Sequence, residues 1–155
     1  MWVANHAQIW GRAVELAYDR YLEAMKHRPA SVLDSAVEFH LWMASMRMLW
    51  RIADRARTDL HLSTIDAAVA AFEQEVDTSE LIALRDISQH ADDYAVGLGR
   101  HPLKAYTADM DRWTDAAQRL RVVLHEAGKP RTLTLVEQSQ PRGSAGMRRP
   151  RFPAD

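Results

Sequence analysis

Cysteine is absent from this 155-residue sequence. That excludes a disulfide framework and thiolate chemistry, and it suits a chain folding in a reducing compartment. Glycine and proline are scarce, 6 of each, and Pro141, Pro150 and Pro153 fall in the closing stretch. So little turn-forming material in the body implies long helices with short connections. An excess of one charge is also missing: the formal net charge is -1. A chain that coats nucleic acid by bulk electrostatics is thereby excluded, and any such contact must be local. No stretch approaches the roughly 18 uninterrupted apolar residues of a membrane span. The N-terminal segment mixes His6, Arg12, Glu15, Asp19 and Arg20 into its apolar residues, unlike a signal peptide. The expectation is a soluble, cytoplasmic protein that does not engage membranes. Neither a Gly-x-Ser-x-Gly elbow nor a Walker loop occurs, so hydrolase and NTPase readings fall away.

What is present is apolar material in helical register. A hydrophobic fraction of 47% can supply a core. Residues 4–27 repeat Trp10, Val14, Ala17, Tyr21 and Met25 on one side, and Pro29 ends the run. Residues 30–58 carry Val32, Ala36, Phe39, Met43, Met46, Trp50 and Ala53. A second stripe of Val37, Leu41, Met48 and Ile52 lies beside the first, marking the most buried helix. The polar edge of that helix is His40, Arg47, Arg51 and Asp54. Ser63 is expected to cap a short helix reaching Val76, and Thr78 or Ser79 a fourth ending near Gly97. Thr107 is expected to cap a fifth, which stops at Gly128 before Pro130. The fold class is all-α: a bundle of about five helices, four long and one short, over residues 1–130. Residues 131–155 read as an extended or disordered basic tail with a short alternating stretch, Thr132 to Val136.

The fourth helix holds the residues with the most chemistry. Asp86, His90 and Tyr94 are spaced four apart, so their side chains can touch in series. Arg85 and His90 are separated by about 7.5 Å along a helix axis and roughly 140° around it. One helix cannot aim both at a single phosphate, but two copies across a two-fold axis can. Other Arg–His pairs at similar spacing are Arg20/His27, Arg55/His61 and Arg119/His125, followed by Tyr21, Ala56 and Leu120. Of these four pairs, Arg85/His90 is the one whose arginine is directly followed by a charged residue, Asp86.

An arginine, a polar residue directly after it and a histidine shortly beyond, here Arg85, Asp86 and His90, resembles the motif of the HEPN superfamily of helical-bundle nucleases. The resemblance covers about fifteen residues. It implies a homodimer joined along the motif helices that cleaves RNA without metal or cofactor, leaving a 2′,3′-cyclic phosphate. It also implies an antitoxin partner, because many members are toxins of toxin–antitoxin or phage-defence systems. In those terms Arg85 is the phosphate clamp, His90 the general acid/base and Asp86 its orienter, with Gln89 and Tyr94 as substrate contacts. One subgroup places a tyrosine two residues after the histidine; Asp92 stands there in this chain, so that subgroup's tyrosine modification is not carried over. The chemistry suits these residue types. Histidine titrates near neutrality and can move a proton either way, while a guanidinium fork stabilises charge on phosphoryl oxygens.

The alternative is a non-enzymatic bundle, or a catalytically degenerate member of the same fold, that binds a protein through exposed apolar surface or the C-terminal arm. Of 7 histidines, none belongs to a Glu-x-x-His pair or a His-Glu-x-x-His motif, so no metal site is expected. Glu23 and His27 are neighbours at a helix end, where histidine complements the dipole. The cluster of Trp42, Met43, Met46, Met48 and Trp50 reads as core, not as a ligand box. Trp2 and Trp10 suit either a core cover or a dimer seam. Arg142, Arg148, Arg149 and Arg151 with Phe152 read as a solvated or docking tail.

Overall fold

A computed structural model describes residues 2–27, 32–90 and 108–129. Over them the chain forms an all-α bundle of five helices: α1 (Trp2–Lys26), α2 (Val32–Leu60), α3 (Ser63–Glu75), α4 (Thr78–Gln89) and α5 (Met110–Ala127). The basic tail and the alternating stretch expected within it lie outside the described residues. No described helix is long and apolar enough to cross a membrane.

The 29-residue α2 is the hub and packs against all four other helices. Against it α1 lays Val3, Ala7, Val14 and Ala17, and α5 closes the layer with Trp113, Ala117, Leu120 and Leu124. Small residues on α1 let the backbones approach. At Gly11 the approach is closest: a Cβ there would stand 2.2 Å from Arg121 Cδ on α5. Gln118 Nε2 donates to the Gly11 carbonyl at 3.0 Å, and the Tyr18 hydroxyl donates to Asp111. At the far end Gly128 rests on the first turn of α1, where a Cβ would meet the Ala4 nitrogen at 2.6 Å.

The core is aromatic where α1, α2 and α5 meet. Trp42 stacks between Phe39 and Trp113, with ring centroids 5.9 and 6.0 Å away. Its buried indole N–H donates to Thr114 Oγ1 at 2.9 Å, which satisfies both polar groups. Met43 and Met46 are fully buried beside it, as expected of core. Trp50 is part-buried and sends its indole N–H to Glu73 on α3 at 3.1 Å. Trp10 packs on the core and Trp2 stays exposed.

The second stripe of α2 is only partly interior: Ile52 is buried, but Val37 and Leu41 are about half exposed, at 51% and 43%. The bundle surrounds α2 on one broad side, not all round. Helix starts also fall one or more residues from expectation. Leu62, with no side-chain cap, precedes α3, so Ser63 is its first residue. Asp77, not Thr78 or Ser79, caps α4, accepting from the backbone N–H of Ser79 and Glu80. A carboxylate accepts two donors at once and is the stronger cap for a helix N-terminus. Asp109 likewise caps α5 through Arg112 N–H, and Thr107 lies outside the described residues. Between α2 and α3, His61 adopts a left-handed φ of 48°. That turns the chain sharply enough for α3 to start two residues later.

Candidate functional site

The expected site residues lie on α4, which reaches the bundle through α2. Its 12 residues bury Leu81 and Ala83 and set Leu84 against the core. The polar residues that follow sit along the α2–α4 seam. His40 Nδ1 and Ser88 Oγ share a hydrogen bond of 2.6 Å across it. Farther along α2, Arg47 is near enough to Arg85, on the turn of α4 before Ser88, for their charges to interact.

Arg85 and Asp86 are both half-buried in this seam. Arg85 lies near enough to Arg47 of α2 for its charge to act on it. Burial, first, and then the positive charges of Arg85 and Arg51 push the Arg47 guanidinium below its usual range, while Asp86 works the other way. One terminal nitrogen of Arg47, Nη1, is buried without a hydrogen-bond partner.

His90 differs from expectation. The helix expected to continue to Gly97 ends at Gln89, and His90 is its C-cap with φ -122° and ψ 40°. Its backbone N–H still reaches the Asp86 carbonyl at 3.0 Å, but the residue has left helical geometry. Its Nε2 stands 3.9 Å from Asp86 Oδ1, with side-chain exposures of 54% and 19%. That separation is an ion-pair distance, too long for a hydrogen bond. Asp86 therefore stands between an enclosed guanidinium and an accessible imidazole. Gln89 is exposed at the end of the helix. Tyr94 lies outside the described residues.

Sequence reasoning missed the contribution of α2. His40, Arg47 and Arg51 were legible as a polar edge spaced along one side of a helix. Nothing in that spacing says that α4, rather than solvent, covers part of it. The other candidates resolve simply. Glu23 and His27 form a 3.2 Å pair on the surface. Hydrogen bonds from Lys26 and His27, in that order, lower the Glu23 carboxyl. Among the described residues no three His, Asp or Glu side chains converge as a metal-binding group.

No family model matches the sequence, and no curated protein or solved structure is significantly similar to it. The chemistry of the seam rests on its own residues.

Proposed function

We propose that the protein is a metal-independent endoribonuclease of the HEPN-like kind, acting as a homodimer with α4 helices facing one another. One observation carries this reading: Asp86 stands 3.9 Å from an accessible His90, and the charges of Asp86 and the half-buried Arg85 both act on Arg47 of α2, a second guanidinium at the same seam. In this reading Arg85 binds the scissile phosphate and stabilises charge on its non-bridging oxygens. His90 removes the proton from the ribose 2′-hydroxyl, whose oxygen attacks phosphorus. The bond to the 5′-oxygen breaks and that oxygen takes a proton from an imidazole, the second copy supplying the group on the opposite side. The products are a 2′,3′-cyclic phosphate and a 5′-hydroxyl end. Asp86 acts on His90 by charge at the separation observed. In a cell such an activity would need restraint, so an antitoxin-type partner belongs to the same proposal.

The test compares wild type with Arg85→Ala and His90→Ala, each checked for an unchanged helical circular-dichroism spectrum. Wild type should cut RNA in EDTA, leave cyclic phosphate ends and arrest bacterial growth; either substitution should abolish all three. Identical RNA profiles across the set, with the protein freed from any bound inhibitor, would defeat the enzyme reading. The reading then left is a non-enzymatic interaction module. Exposed Trp2, Ile9 and Leu16, seven residues apart on the outer side of α1, favour that alternative.

A further inference from the structure

We infer that Arg47 and Arg51 of α2, together with Arg85 of α4, form a binding site for a tetrahedral oxyanion, the phosphate of a nucleic-acid backbone. The inference rests on the reading of the seam as a phosphodiester site and extends it to a second helix. Three features support it. The first is the orphaned donor: Arg47 Nη1 is shut away from solvent with no acceptor, whereas buried guanidinium donors are ordinarily paired. The second is the company it keeps. Arg51 is one helical turn along α2, and Arg85 on α4 is near enough for its charge to act on Arg47. Asp86, which also stands 3.9 Å from His90, works against the positive charges at Arg47. An arginine stays protonated throughout the physiological range, so such crowding is relieved by an anion and not by loss of a proton. The third is access. Arg51 is exposed and also lines a cleft of about 290 Å³ with Trp50, Asp54, Arg55 and Thr58. The cleft gives an anion access to Arg51, one turn along α2 from Arg47, and the next guanidinium, Arg55, lines the same cleft.

Among the described residues, the neighbouring carboxylates Asp54 and Asp59 are engaged by other arginines. Arg55 is held by Asp59 at 2.8 Å and Arg57 by Asp54 at 2.6 Å. The forked, planar donor sets of Arg47 and Arg85 suit the oxygens of phosphate better than a halide. The site thus enlarges the phosphate clamp beyond Arg85 and places part of it on the central helix.

The test titrates the full-length protein with inorganic phosphate against chloride at matched ionic strength, following the thermal midpoint. A 2′-O-methyl oligoribonucleotide, which cannot form a cyclic phosphate, is the second probe. Phosphate should raise the midpoint saturably and chloride should not. Arg47→Gln should lose that response while melting no lower than wild type without phosphate, because like-charge crowding is relieved. Should Arg47→Gln fail to fold, Arg51→Gln at its exposed position decides. It should weaken apparent phosphate and oligonucleotide affinity about tenfold, the loss of one charge-assisted contact. Arg12→Gln, on the outer side of α1, should leave both responses as in wild type. A phosphate effect equal to that of chloride, or one retained in full by Arg47→Gln or Arg51→Gln, overturns the site. The two readings fail separately: phosphate binding without RNA cleavage removes the nuclease and leaves the site. Cleavage that Arg47→Gln and Arg51→Gln leave at the wild-type rate does the reverse.

Discussion

Replacing Gly11 by alanine sets two effects of opposite sign against each other. Inside a helix alanine is favoured over glycine by about 1 kcal/mol, and α1 is 25 residues long with Gly11 well inside it. The new Cβ, however, would stand 2.9, 2.6 and 2.2 Å from Cβ, Cγ and Cδ of Arg121. Carbon atoms rest comfortably at about 3.5–4.0 Å. Cγ and Cδ can swing aside by changing rotamer, but Cβ is fixed to the α5 backbone. The two helices must therefore part by several tenths of an ångström. Overpacking of this kind costs about 1–3 kcal/mol. Parting also stretches the 3.0 Å bond from Gln118 Nε2 to the Gly11 carbonyl, a further loss of about 1 kcal/mol. The clash and the strained bond outweigh the propensity gain, leaving a net destabilisation of about 1–3 kcal/mol. Urea unfolding followed by tryptophan fluorescence measures it as a lower midpoint with an unchanged slope. In an Arg121→Ala background most of the loss should remain, because the Cβ at position 121 still stands 2.9 Å from the new one, whereas an Arg121→Gly background should remove it. A Gly11→Ala protein as stable as wild type, or more so, would refute the close approach of α1 and α5.

Two further substitutions probe the frame around the seam. Thr114→Val keeps the shape but leaves the buried Trp42 indole N–H without its acceptor; unfolding free energy should drop by about 1–3 kcal/mol, read by the same urea titration. Asp77→Ala removes the cap of α4, costing about 1 kcal/mol. Amide exchange should quicken on α4 before the other described helices, because among them α4 is held chiefly by α2.

Much of this architecture was visible in the residue pattern. The helices follow from apolar spacing near 3.6 residues and from the shortage of glycine and proline; Trp42, Met43 and Met46 fall where a central helix needs bulk. Caps were less legible, because aspartate, serine and threonine stand side by side at the start of α4 and geometry chooses among them. Asp77 wins by accepting two backbone donors. The length of α4 was misjudged for a related reason: apolar periodicity runs past Gln89, but the backbone at His90 turns out of the helix.

From the amino acids alone came the fold class, the central place of α2 and the chemical candidates Arg85, Asp86 and His90, since these depend on local spacing and composition. Tertiary structure decided who meets whom. Arg47 and Arg85 are 38 positions apart in the chain, and no local rule relates them. They come near one another because burying Leu81 and packing Leu84 on the core hold α4 against α2, and that packing brings the charge of Arg85 to bear on Arg47 despite their mutual repulsion.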